Sequence, residues 1–366
     1  MKRKWGVGIA ASVLLLLSSA AFASVRGIQP ENEAPAAAWN DDVSKIFFTT
    51  AEEGTPLQMR DLLKNGAKVD EKDSEGNTAL ILAASANPNP EMIQVLIEAK
   101  ADVNARNKNE LNPMMAAAER NTNPAIVAEL AKAGASLDER GTSQTTPLLS
   151  SIFVNPNPAV VVELIRLGAD VNLANKDGTT PLMAACFENR GPTLIETLLK
   201  AGAKADARSA SGNTALTFAV GMSDDPKAVD LLIAAGADVN ASNNRGQTVL
   251  HYAVAAENRS EAVALLIKAG ADVNARYNAG DTPLLLASGK KSGSSVVKLL
   301  LEAGADVNAS NESGTTPLMA AARGGAEPET VKLLREAGAN LDARDREGLT
   351  ALDIAKRSKG AASLYE

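Results

Sequence analysis

One phrase, Gly-x-Thr-x-Leu, returns along this chain at a fixed interval of 34 residues, and that interval decides what the chain can fold into. It begins at Gly76, Gly178, Gly212, Gly246, Gly280, Gly314 and Gly348, with degenerate copies at Asp42, Glu110 and Gln144. Ten repeats, numbered 1 to 10 from Asp42, hold this register without an insertion, the tenth cut short by the end of the sequence. A period of this length marks a stack of small units, each burying its apolar face only against its neighbours. The composition agrees. Hydrophobic residues make up 45% of the chain but aromatics only 3%, so the core must be built from Ala, Leu and Val, which allow close stacking.

Each repeat carries the signals of two helices. Ser44, Thr78, Asn112, Thr146, Thr180, Thr214, Thr248, Thr282, Thr316 and Thr350 share one position and are expected to cap a first helix, their side-chain oxygens accepting from exposed amides. Proline often follows, as at Pro113, Pro147 and Pro181, where a missing N–H is no loss. An alanine one turn on, as at Ala83, Ala117 and Ala185, lets neighbouring backbones approach. A second helix opens at Pro56, Pro90, Pro124, Pro158, Pro192, Pro226 and Pro328, and Asn89, Asn123, Asn157 and Asp225 precede four of these as caps. Its apolar residues, such as Ile93, Leu96 and Ile97, are spaced by three and four. Glycine closes it in every complete repeat except at Lys100. An Ala-Asp-Val-Asn-Ala type segment then leads through a polar loop to the next repeat.

Helix, turn, helix and projecting loop, in this wording, resemble the ankyrin repeat. Gly178-Thr179-Thr180-Pro181-Leu182-Met183-Ala184-Ala185 and Gly270-Ala271-Asp272-Val273-Asn274-Ala275-Arg276 are close to that family's consensus, and Gly246-Gln247-Thr248-Val249-Leu250-His251 keeps its histidine. The resemblance spans residues 42–366 and implies an all-α solenoid of about ten stacked helix-turn-helix units with projecting loops, caps included. The family's usual unit is one residue shorter. The extra residue falls between the two helices, where Asn-Pro-Asn-Pro stands in two repeats, so a longer inter-helix turn is expected. At the ends, Phe47 and Phe48 with no preceding loop, and Leu364-Tyr365-Glu366 after a stunted second helix, are expected to close the stack.

Ahead of the repeats, Lys2, Arg3 and Lys4 precede an apolar run from Trp5 to Leu17 and the small-residue site Ala21-Phe22-Ala23. This is the form of a secretory signal peptide, residues 1–23, cut near Ala23. No cysteine follows the run, which argues against a lipid anchor. Residues 24–41 read as a flexible linker, with Trp39 able to pack on the first repeat. The expected location is a bacterial periplasm or the medium beyond it, with no membrane association after cleavage. Removing three of the 37 basic residues leaves 34 against 44 acidic ones, a mature charge of −10, which gives no support to nucleic-acid binding.

Catalysis and cofactor binding find little footing here. One cysteine and one histidine exclude a disulfide framework and most His/Cys zinc sites. Cys186 sits at a small-residue packing position and His251 at the consensus position that bonds neighbouring loop backbone, so both read as structural. The recurring Asp170, Asn172, Asp238, Asn240, Asp272 and Asn274 read as turn formers rather than calcium ligands. No phosphate loop, dinucleotide fingerprint or metalloprotease helix motif occurs. The chain is therefore expected to be a monomeric, non-enzymatic protein without a cofactor that binds another protein, as a scaffold or inhibitor, or as a secreted effector on a host or competitor. A small-ligand site or a hydrolase is the alternative from another class.

Two features are candidates for the binding surface. Arg106, Arg140, Arg208 and Arg276 recur at one loop position, with Lys72 and Arg344 equivalent and Tyr277 beside them; they could meet an acidic partner or be solvated loop residues. Near the ends of the first helices, most repeats carry small or charged residues, but repeats 4 to 6 carry Phe153, Val154, Phe187 and Met222. Two placements are open for these: exposed on the concave face as an interaction patch, or packed between repeats.

Overall fold

The computed structural model describes residues 41–222, 225–256, 259–358 and 362–365; the signal-peptide reading and the linker reading up to residue 40, with Trp39, fall on residues outside these, and Asp41, read as the end of the linker, begins a helix. Nineteen α-helices occur among the described residues, two per repeat in repeats 1 to 9 and one, Ala351–Arg357, in the last. None is long and apolar enough to cross a membrane. The only β pairing among them is two isolated bridges in the loops around Thr248 and Asp281.

The helix starts follow the cap chemistry. Thr78 Oγ1 accepts from the Ile81 amide at 3.4 Å and Thr146 Oγ1 from Leu149 at 3.3 Å, and the same bond opens the helices after Thr180, Thr282, Thr316 and Thr350. Asn89, Asn123, Asn157 and Asp225 cap second helices that begin on proline. Ser44 is the exception and corrects the sequence reading. It lies inside a helix running Asp41–Glu53, and its hydroxyl bonds Glu71 instead. The helix already runs from Asp41, so no new one starts at Ser44, and Lys45 stands where other repeats have Pro, Ala or Val as the first residue of a helix.

Packing groups the chain into two compact units that divide between Asp170 and Val171. Within each, first helices stack on first helices and second on second. The layer between them is alanine-rich: Ala83, Ala84, Ala116, Ala117 and Ala118 in the first unit, and Ala184, Ala185 and Ala219 in the second, are fully buried. Leu80, Leu96, Leu130, Leu198, Leu216 and Leu232 fill the spaces between helices. Small residues thus set a close interhelical distance and leucines seal it.

The added residue of the 34-residue period has a definite use in the first unit. Asn87, Asn121 and Asn155 occupy the inter-helix turns of repeats 2, 3 and 4 and are buried. The Asn121 amide donates to the carbonyls of Ala84 (3.0 Å) and Asn87 (2.9 Å), and Asn155 donates likewise to Ala118 and Asn121. Asn87 begins the series on Ala51 and Gly54. Each Oδ1 accepts the amide two residues on, at Asn89, Asn123 and Asn157. The result is a buried ladder in which each side chain satisfies carbonyls of the preceding repeat. In repeat 8 of the second unit a different residue does this work, with Lys290 Nζ donating to the Ala255 and Ala256 carbonyls.

A second ladder runs along the loop bases. Asp70, Asp138, Asp206, Asn240, Asn274 and Asn308 each accept from a backbone amide 32 residues on, at 2.8–2.9 Å. The loop tips also touch. The Ala210 amide donates to the Asp177 carbonyl at 2.9 Å, and Asn244 to Ser211 at 3.0 Å. This approach needs glycine at Gly212, where φ is +84° and a Cβ would meet Asn244 Oδ1 at 2.5 Å.

Candidate functional site

The basic loop residues are fastened. Lys72 Nζ donates to the Arg106 carbonyl at 3.0 Å, and Arg106 in turn to the Arg140 carbonyl at 3.2 Å. Arg106 also pairs with Glu110 and Glu139. Arg140 reaches Gln144 at 3.4 Å. In the second unit, Arg208 donates to the Ser242 carbonyl and Arg276 Nη1 to the Ser310 carbonyl at 2.8 Å. Most of these acceptors lie one period away, so the guanidinium groups tie each loop to the next. A planar guanidinium has more donors than these bonds use, which leaves some facing solvent at the exposed Arg208 and Arg276 positions.

Tyr277 departs from its neighbours. At its position six other repeats carry Asp73, Asn107, Asn175, Asn243, Asn311 or Asp345, whose Oδ1 accepts two amides of its own loop, while Gly141 and Ser209 stand in two more. Tyr277 keeps the backbone turn, its amide donating to the Asp281 carbonyl at 3.2 Å, but has no side-chain acceptor for those amides, and its ring lies edge-on against His251, centroids 4.7 Å apart.

The apolar candidates divide by unit. In the first, Phe153 is half-buried and Val154 is 59% exposed at the end of Pro147–Val154. In the second, Phe187 is 46% and Met222 49% exposed, so these two are surface residues rather than spacers between repeats. Phe187 meets the half-buried Phe218 edge-to-face, centroids 5.8 Å apart and planes at 89°. Such a pair holds its exposed ring in one orientation. Phe218 was not among the sequence candidates. It sits three positions earlier in its helix than Phe187 does, so periodicity hid it, although it is one of only six phenylalanines.

Tyr252 takes the position of Phe218 one repeat on. Its hydroxyl accepts from Asn243 Nδ2 at 2.9 Å and donates to Asn213 Oδ1 at 3.3 Å, fixing the ring between two loops. Repeats 5 to 7 therefore carry four aromatic residues, Phe187 and Phe218 in mutual contact on the first helices and Tyr252 and Tyr277 at the loops.

The reactive groups are structural. Burial pushes the Cys186 thiol up to about 12, so it does not ionise near neutrality. His251 is fully buried. Its Nε2 faces the Asp281 carbonyl at 3.2 Å, which makes Nε2 the donor and leaves Nδ1 to accept from Thr248 Oγ1 (2.7 Å) and N (3.2 Å). Among the described residues no cluster of His, Cys, Asp or Glu could hold a metal ion.

A family model, described as ankyrin repeats (three copies), matches residues 47–141, 148–243, 221–311 and 284–364. The chain belongs to the ankyrin-repeat family. Among solved structures, the array is similar to the crystal structure of the ankyrin repeat domain of Bcl-3, described as a unique member of the IkappaB protein family. That likeness has 31% identity and a TM-score of 0.51, and covers 60% of this chain and 97% of that one. No curated protein matches in a sequence comparison. Ankyrin repeats are in general protein–protein interaction modules, and the fold is typically a non-enzymatic scaffold.

Proposed function

We propose that this ankyrin array acts outside the cytoplasm as a non-enzymatic scaffold or inhibitor that binds a partner protein through its concave helical face and loop tips. The observation that carries the reading is the exposure of Phe187 and Met222 on the first helices of adjacent repeats, in a chain where aromatics are scarce. Exposed apolar side chains near the ends of two adjacent first helices favour a binding site. The basic signal-like segment at Lys2, Arg3 and Lys4 with Ala21-Phe22-Ala23 supports export.

A photoreactive residue placed at position 187 or 222 tests the surface. Crosslinking to one protein in an extract of the cell envelope, lost in the Met222→Ser and Phe187→Ser variants respectively, is the expected result. Equal crosslinking from a position on the second helices would remove the concave face from the reading. Fractionation separates a periplasmic scaffold from an effector released to the medium.

A further inference from the structure

The loop tips beside the aromatic residues of the second unit carry a charge opposite to the chain as a whole. In the tip segments 174–178, 208–212, 242–246 and 276–280 stand Lys176, Arg208, Arg245 and Arg276 against a single carboxylate, Asp177. The complete sequence has net charge −7. Two of the four cations are engaged, Arg208 with the Ser242 carbonyl and Arg276 with that of Ser310. Lys176 and Arg245 are exposed and have no side-chain hydrogen bond or ion pair among the described residues.

Arg245 is tied by its backbone to the aromatic row. Its amide donates to Asn243 Oδ1 at 2.9 Å, and the Nδ2 of the same asparagine donates to the Tyr252 hydroxyl at 2.9 Å. Tyr252 occupies on its helix the position that Phe218 holds one repeat earlier, and Phe218 supports the exposed ring of Phe187. Exposed apolar side chains on the first helices and unpaired cations on the loop tips thus belong to the same few repeats, with Arg245 and Tyr252 both bonded to Asn243.

We infer that repeats 5 to 7 take an extended acidic peptide segment of the partner, seating an aromatic or long aliphatic side chain against Phe187, Phe218 and Met222 and a neighbouring carboxylate on Arg245. This rests on the protein-binding reading above and names the chemistry of the partner. At the loop tips charge complementarity selects the ligand: a basic segment would meet Lys176 and Arg245 without compensation, and an uncharged one would leave them unused, whereas the exposed Glu188 beside Phe187 keeps the ligand's carboxylate to the loop end. A bidentate guanidinium–carboxylate contact adds direction to the apolar contact.

The test is selection of a random linear peptide library against the purified chain, followed by anisotropy titration of the enriched peptides. Enriched sequences are expected to pair an acidic residue with Phe, Tyr, Trp, Leu or Met, to bind more weakly at high salt, and to lose about tenfold or more in affinity to Phe187→Ser and to Arg245→Glu. Arg245 is exposed and bonded only through its backbone, so that variant keeps its fold even if Phe187→Ser does not. The double variant Lys176→Glu, Arg245→Glu is expected to turn the selection toward basic peptides. Enriched peptides without acidic residues, or with undiminished affinity for both single variants, would overturn the inference while leaving a protein-binding array in place. So would a single-stranded oligonucleotide that binds better than the acidic peptides. A library that yields no binder, alongside a partner crosslinked through position 187, sinks the acidic-peptide assignment and spares the broader reading.

Discussion

His251 and Tyr277 meet edge to face at 4.7 Å, so the array's one histidine is shut beneath a loop side chain of its own repeat. The imidazole is neutral in this arrangement. Nδ1 accepts from Thr248 and Nε2 donates to the Asp281 carbonyl, and a second ring proton would face the Thr248 amide hydrogen.

Burial lowers the affinity of His251 for a proton, outweighing the carbonyls of Asp281 and Ala275 and the nearby carboxylates of Asp281 and Asp272, which favour the charged form. The sign follows. The unfolded chain takes up this proton as pH falls through about 6.5 while the folded chain takes it up only at lower pH, so stability is full above that pH and declines below it. Thermal midpoints between pH 7.5 and 5 should fall for the wild type and stay flatter for His251→Gln. Parallel curves for the two proteins would show that this ring does not set the dependence.

Loss of one rung of the asparagine ladder should be costly. Asn121→Ala removes two donors to buried carbonyls and one acceptor for the Asn123 amide. Each orphaned buried group costs about 1–3 kcal/mol, so a loss of about 3 kcal/mol in urea denaturation is expected. Hydrogen exchange should show the turns at 87–89 and 121–123 opening first.

Lys100 and Gly212 predict changes of opposite sign. Lys100 has φ +70° at the helix end where other repeats carry glycine, so Lys100→Gly should raise stability by about 1 kcal/mol. Gly212→Ala places a Cβ against Asn244 and should lower it by about 2 kcal/mol or more, through strain at positive φ together with the clash. Calorimetric midpoints of the two variants on either side of the wild type would bear this out.

Cys186 should report opening of the second unit. Its thiol is buried and raised to about 12, so a disulfide reagent reaches it only after local unfolding. Labelling at pH 7 should be slow in buffer and rise steeply with urea. Immediate labelling in buffer would contradict the packing at this position.

What the sequence discloses and what it hides divide along physical lines. Caps, proline starts and glycine stops act within four residues, so their spacing reveals them, and Thr146 or Asn157 could be placed without a structure. Ser44 broke the rule because a cap depends on what the chain does before it, and acidic residues already begin a helix there. The reach of Arg106 or Arg276 to a carbonyl 34 residues on is invisible in sequence, since a long side chain at a fixed position can bond its neighbour or face water. Phe218 escaped for another reason. Its importance comes from contact with Phe187 in the adjacent repeat, not from its place in its own.

The asparagine ladder makes growth of the first unit modular and directional. Every rung carries both of its functions forward in one repeat: amide donors that finish the repeat before it, and a carbonyl that awaits the asparagine after it. Duplicating or deleting one whole 34-residue block between Asn87 and Asn155 leaves every bond with an equivalent partner. A frame shift of one residue inside a turn would strand the rungs on both sides. The array can therefore change its length in whole repeats while its period is held fixed by buried hydrogen bonds.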